Sequence, residues 1–287
     1  MDLANDTTNG AGRLPNAVLI GAMRSGTSSI AHYLGNHPMI FMAPQKEVHF
    51  FDRNFDRGLS WYREQFARAD GEPVVCEATQ TYMYEDLTLR RLADVLPKAR
   101  LMAILRDPVD RAYSHYWLNR AQGKETLSFA EAIEAEPERL ASGDSRDRMT
   151  YSYVDRGMYS KQLERVCNYF PRNALRVVLF DDLLDDAQGT YRALCDFLEV
   201  DSNALPSEVG RVVNGFRRFR SVRARRLAKR LPPRIRHAIG RVNAREEHYP
   251  PMDRSVKGAL CREYEGEIRR LSEWLGRDLS FWGRKTS

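Results

Sequence analysis

The chain has 287 residues, 45 Lys and Arg against 39 Asp and Glu, and 43% apolar residues. At ~150 residues per domain this length admits two domains or one large α/β domain, and the apolar share excludes wholesale disorder and collagen-like repetition. The longest apolar runs, such as Leu101-Met102-Ala103-Ile104-Leu105, fall far short of the ~20 residues that span a bilayer. Residues 1–14 read as a disordered polar tail with no apolar signal core, so a cytoplasmic protein is expected. Cys76, Cys167, Cys195 and Cys261 are far apart and form no paired motif, which favours reduced core thiols over a disulfide framework or a zinc cage. A net charge of +6 points to an anionic partner; nucleic acid, a membrane surface, a nucleotide and a sulfated or phosphorylated acceptor all match it.

In chain order, the β-branched run Asn16–Ile20 predicts a strand that stops at Gly21. Ile30 and Leu34 predict a helix from Gly26 to about Gly35–Pro38. Further strands are expected at Val74–Cys76, Arg100–Leu105 and Leu175–Phe180. Between and after them, Asp86–Leu96, Val109–Gln122 and Tyr191–Leu198 carry helical spacing, with Pro108 at a helix start. Gly143–Thr150 reads as a polar loop. Short buried strands alternating with helices predict a single α/β domain, with a P-loop-like central parallel sheet and helices on both faces. In such sheets ligands bind beyond the carboxyl ends of the strands, where Gly21–Ser29 and Arg106–Ser114 both fall.

Gly21-Ala22-Met23-Arg24-Ser25-Gly26-Thr27-Ser28-Ser29 has the layout of a phosphate cradle: backbone N–H groups and a helix N-terminus face an anion, and glycines permit close approach. Ser25, Thr27, Ser28 and Ser29 add hydroxyls. Both glycines keep the spacing of the nucleoside-triphosphate pattern G-x-x-x-x-G-K-S/T, but Thr27 stands at the Lys position and Arg24 supplies the cation inside the loop. Phosphoryl transfer from ATP is disfavoured on that ground, which leaves a small-molecule P-loop kinase as a secondary reading.

Val18–Ser29 resembles the 5′-phosphosulfate loop of the sulfotransferases that use PAPS (3′-phosphoadenosine 5′-phosphosulfate). Glu47-Val48-His49-Phe50-Phe51-Asp52, with Gly58-Leu59-Ser60-Trp61-Tyr62, is similar to the following segment of the carbohydrate branch, typified by the heparan-sulfate enzymes. Ile104–Pro108 with Arg111-Ala112-Tyr113-Ser114 resembles the 3′-phosphate motif. The likeness implies a sulfotransferase domain over 15–287 that moves a sulfuryl group from PAPS to a hydroxyl or an amine, without a metal; a hydroxyl is the expected acceptor here.

The same resemblance assigns roles. Arg24 stands at the catalytic cation position, as a stabiliser of charge that does not give up its proton. Glu47 matches the general base; beside Lys46 and an apolar stretch, it is a carboxylate whose pKa can be tuned. His49 is the alternative base or an orienting group, and Asp52 a substrate contact or a cap. Arg24, Ser25, Gly26, Thr27, Ser28, Ser29, Arg106, Ser114 and Arg217 fall on donor-binding positions. Arg111 is expected to pair with Asp107 or Asp110, and Tyr82 and Tyr84 to line the acceptor cleft or to pack. Arg156–Tyr159 resembles a helix-opening segment with an acceptor or donor contact. Ala78 replaces the Lys of the family's Glu-Lys-Thr segment, the heparan enzymes' Lys-Gly-Arg tripeptide is absent with only Arg245 nearby, and their disulfide is missing.

Arg211–Arg241 contains no acidic residue and crowds eleven cations from Arg217 to Arg241 among Leu227, Leu231, Ile235 and Ile239, with Pro232-Pro233 breaking any single helix. It suits a solvated basic face or an anionic membrane surface in contact with a lipid-linked acceptor. A nucleic-acid-binding module would use this stretch but leaves the loop and Glu47 without a role, so no nucleic acid is expected. A saccharide or a glycosylated or lipid-linked metabolite is the expected acceptor.

Overall fold

β1 (Ala17–Gly21) is buried at every position, as is β3 (Val74–Ala78), the pattern of strands covered on both sides rather than facing water on one. With β2 (Ile40–Met42), β4 (Arg100–Leu105) and β5 (Leu175–Leu179) they form a five-stranded sheet in the order β2-β3-β1-β4-β5, parallel throughout. This computed structural model describes residues 12–210, 217–219, 244–246 and 250–284. The four expected strands are present. β2 carries no β-branched run and is only three residues long, so nothing in its composition marked it.

The chain divides into two compact units, one of residues 1–106 and 159–213, the other of 107–158 and 214–287. The first holds the sheet, flanked by α1 (Thr27–Gly35), α2 (Phe50–Arg53), α3 (Gly58–Glu64), α4 (Asp86–Val95), α9 (Tyr159–Cys167), α10 (Phe180–Asp185) and α11 (Ala187–Leu198). Leu19, Ile30, Leu34, Cys76, Met102, Ile104 and Leu194 meet in its main core. A separate aromatic cluster stacks Phe50 on Tyr62 at 4.2 Å and sets Phe51 edge-on to Tyr82 at 5.3 Å, fixing the segment that begins at His49. β1 lies between β3 and β4, so the turns leaving β1 and β4 adjoin, and the Ala22 amide donates to the Ile104 carbonyl at 2.9 Å.

The second unit contains α5 (Pro108–Gln122), α6 (Phe129–Glu134), α7 (Glu136–Ala141), α8 (Ser145–Tyr151), the antiparallel pair β6 (Arg217–Phe219) and β7 (Ala244–Glu246), and α12 (Arg254–Leu275). Val109, Ala112, Tyr116, Phe129, Tyr153, Leu260 and Tyr264 form its core. Pro108 opens α5 and the Asp107 carboxylate accepts from the Val109 amide at 2.9 Å, a cap for donors the helix leaves unpaired.

Two expectations are corrected. Gly143–Thr150 is not a loop: Asp144 accepts from the Arg146 amide at 2.7 Å and starts helix α8, a capping signal that outweighs the segment's polarity. Arg111 pairs with neither Asp107 nor Asp110. It is fully buried and donates to the Tyr153 carbonyl, while the Asp107 carboxylate is occupied by the amides of Val109 and Gly283. All four cysteines are free thiols. Of the expected tail, residues 1–11 lie outside the described residues, and Arg13 is tied to the Glu72 carbonyl at 2.9 Å. The basic stretch 211–241 also lies outside them except for 217–219. Among the described residues no helix is long and apolar enough to cross a membrane.

Candidate active site

The loop from Gly21 to α1 is shaped by what surrounds Gly26. Its φ is +98°, and a Cβ there would sit 2.7 Å from the Phe180 ring, so only glycine fits without displacing that ring. Ser25 is fully buried and its hydroxyl has no hydrogen-bond partner among the described residues, an orphan at the helix N-terminus that suits an anionic oxygen. Thr27 and Ser29 are buried, whereas Ser28 is half-exposed and its Oγ accepts from the Lys46 ammonium. Lys46 thus reaches the loop from a separate segment, a contact that no local motif signals. Arg24 is half-exposed and holds a left-handed φ of +71°.

Glu47 and His49 also have positive φ, +60° and +54°. A non-glycine residue in that region costs roughly 1–2 kcal/mol, so three such residues around one loop are held there by their contacts. The contacts are visible: the Glu47 amide donates to the Ala78 carbonyl at 3.2 Å, and the Phe50 amide to the Tyr82 hydroxyl at 2.8 Å. Ala78 ends β3 and Tyr82 follows it closely, so the end of that strand places the whole segment.

The side chains form a linear chain of charge. Gln80 Nε2 donates to Glu47 Oε1 at 2.6 Å, and Glu47 Oε2 lies 3.5 Å from His49 Nε2. His49 Nδ1 meets both Asp52 oxygens, at 3.1 and 3.0 Å, and the Thr81 hydroxyl donates to Asp52 Oδ2 at 2.7 Å. Burial alone would lower the imidazole pKa, but its bonds to Asp52 and Glu47 outweigh it and push His49 up to about 9. Burial would raise Glu47; the His49 bond and the charges of Lys46, His49 and Arg53 hold it below the usual carboxylate value instead. Asp52 is lowered in the same way, burial being outweighed by His49 and Thr81. At neutral pH this is carboxylate–imidazolium–carboxylate.

Behind it, Glu77 is fully buried with Oε2 unpartnered among the described residues, and Tyr62 donates to its Oε1 at 3.0 Å. Burial drives its pKa up, only partly opposed by Tyr62 and Tyr82, to about 8. Tyr82 and Tyr84 are buried in the same region.

Arg106, just past β4, lies with its guanidinium 5.1 Å from the Phe180 ring, the ring that also backs Gly26. The buried Tyr159 donates to the Arg106 carbonyl at 2.9 Å, which fixes the turn. The loop, Glu47, His49, Asp52 and Arg106 therefore all belong to the first unit. Ser114, buried on α5, and Arg217, on β6, belong to the second, where β6 lies beside α5. Arg245 is on β7, and Arg156 is buried with Nε on the Ser152 hydroxyl at 2.7 Å. Among the described residues no group of His, Cys, Asp and Glu is arranged to hold a metal.

The sulfotransferase-domain family model matches residues 14–247. The chain belongs to the sulfotransferase family. Within it, this sulfotransferase chain is 26% identical over 274 residues to human heparan sulfate glucosamine 3-O-sulfotransferase 3A1, covering 96% of this chain and 64% of that protein. It is 29% identical over 287 residues to human bifunctional heparan sulfate N-deacetylase/N-sulfotransferase 3, covering 95% of this chain and 31% of that protein. It thus spans less than two thirds of either. The crystal structure of a sulfotransferase from Alicyclobacillus acidocaldarius matches with a TM-score of 0.73 at 28% identity, covering 95% of this chain and 100% of that one.

Proposed function

We propose that this chain is an enzyme that transfers a sulfuryl group from PAPS to an acceptor hydroxyl, with Glu47 as general base. The observation that carries the reading is the join between cradle and carboxylate: Thr27 of the loop and Glu47 share Gln80, so the place for a donor anion and an ionised base are held together. The orphan Ser25 hydroxyl supports an anion in the loop.

PAPS brings the activated sulfuryl group. In the proposed step the acceptor oxygen attacks sulfur in line, its proton passes to Glu47, and the S–O bond to the phosphate breaks, releasing adenosine 3′,5′-bisphosphate. Loop amides, Arg24 and Lys46 stabilise negative charge on the departing oxygen. Arg106 is proposed to hold the 3′-phosphate, and Ser114 and Arg217 keep the donor-binding role that the family resemblance gives them. His49, charged and gripped by Asp52, orients Glu47 rather than serving as base. The acceptor is proposed to be a saccharide hydroxyl: both human relatives are named for heparan sulfate, the 3-O-sulfotransferase for transfer to oxygen and the N-sulfotransferase for transfer to nitrogen.

The test is turnover with labelled PAPS and a panel of saccharide acceptors, for wild type and Glu47→Gln. The variant is expected to lose roughly a hundred- to ten-thousand-fold in kcat while still binding adenosine 3′,5′-bisphosphate. Near-normal turnover would remove Glu47 from the base role. The kcat/KM profile is expected to be bell-shaped. Glu47 must be ionised, and its lowered pKa puts the acid limb below the usual carboxylate value; loss of the His49 proton puts the alkaline limb near pH 9.

A further inference from the structure

Gln80 stands between the loop and the base and is named in none of the family motifs read from the sequence. Its Oε1 accepts from the Thr27 hydroxyl at 3.3 Å and its Nε2 donates to Glu47 Oε1 at 2.6 Å. These two contacts leave the amide one orientation, because a carboxylate accepts only from the NH2 end and a hydroxyl proton is accepted only by the C=O end. The next residue, Thr81, holds Asp52. A single turn following β3 therefore grips both carboxylates of the Glu47–His49–Asp52 chain. Ala78, on the same strand end, offers only a methyl group.

We propose that Gln80 is a positioning residue that sets Glu47 against the phosphate loop, so that the distance from base to donor is fixed through one neutral amide. The inference rests on the sulfuryl-transfer reading above. Lys46, His49 and Arg53 face Glu47 from its own segment, Asp52 lies behind His49, and Glu77 at the end of β3 acts on His49 and Asp52. The β3 turn itself adds only the neutral Gln80 and Thr81. Removing the Gln80 donor thus leaves every charge in place and takes one hydrogen bond from the ionised form of Glu47.

The test titrates the Glu47 carboxyl by side-chain NMR in wild type, Gln80→Leu and Gln80→Glu, alongside steady-state kinetics. Loss of one hydrogen bond to a charged group is expected to raise the Glu47 pKa by about one pH unit in Gln80→Leu, and the like charge in Gln80→Glu raises it further. The kcat is expected to fall roughly tenfold or more while the KM for PAPS changes by less than about threefold. A folded Gln80→Leu with Glu47 titrating as in wild type overturns the proposal. So does a shifted titration with kcat unchanged. If Gln80→Leu does not fold, the neutral and nearly isosteric Gln80→Met carries the same two readouts. The underlying reading fails separately, in the wild type, by absence of sulfuryl transfer; the titration still reports then whether Gln80 holds Glu47.

Discussion

Glu77 shows how far a single buried carboxyl departs from its ordinary behaviour. Its folded pKa of about 8 lies above the ordinary glutamate value of 4.5. The sign follows: the stability it contributes is complete below the unfolded pKa and is lost as pH rises towards the folded value, a penalty on the order of a few kcal/mol by pH 8. Glu77→Gln stays neutral throughout. The melting temperature of Glu77→Gln relative to wild type is therefore expected to climb from about pH 4.5 to about pH 8.5, followed by calorimetry. A flat difference would mean that Glu77 is already ionised. At this scale the sequence was readable where a residue belongs to a local motif: Glu47, His49 and Asp52 lie close together along the chain, and the structure joins them. It was silent on Gln80, whose contacts to Thr27 and Glu47 span 53 and 33 residues, and on Lys46, which it placed beside Glu47 rather than on Ser28. Nothing local distinguishes such a Gln from one facing solvent.

Among the elements, the β1–loop–α1 unit was the most legible, because a β-branched run, two spaced glycines and an amphipathic helix are each local signals. What they did not reveal is the backing of the loop. Phe180 opens α10, far along the chain from Gly26, and its ring occupies the space a Cβ would need. Gly26→Ala is expected to cost about 1–3 kcal/mol in stability and to weaken adenosine 3′,5′-bisphosphate binding, measured by denaturant titration and calorimetry; an unaltered affinity would show that the loop tolerates a displaced Phe180. Helix α8 is hidden for the opposite reason: its cap, Asp144, is present in the sequence but sits among polar residues that suit a loop equally well. β2 had too few residues to speak for itself.

For the molecule as a whole, the parallel sheet was legible from alternation of strands and helices, but the division into two units was not. The second unit draws together α5 and α12, which are distant in the chain, and Tyr264 donates to the Val154 carbonyl across 110 positions. Periodicity reports local structure and says nothing of such pairings. The net charge of +6 and the loop at the start of α1, with its buried Ser25 hydroxyl, lead to one expectation for the intact chain. Adenosine 3′,5′-bisphosphate at about a hundred times its Kd is expected to stabilise by about 2.7 kcal/mol without added magnesium, and to lose affinity as salt rises. Thermal melts in chelator, with ATP and magnesium as the contrast, check it; stabilisation by ATP alone would favour phosphoryl transfer.

The left-handed backbone at Arg24, Glu47 and His49 sets the interests of the fold against those of the proposed chemistry. Glycine rests at those angles with little strain, whereas each present side chain is retained at a cost. A library varied at these three positions and sorted only for survival after heating is expected to drift towards glycine, and the survivors to have lost sulfuryl transfer in step. Thermal selection applied to this enzyme would erode first the three residues proposed here for catalysis.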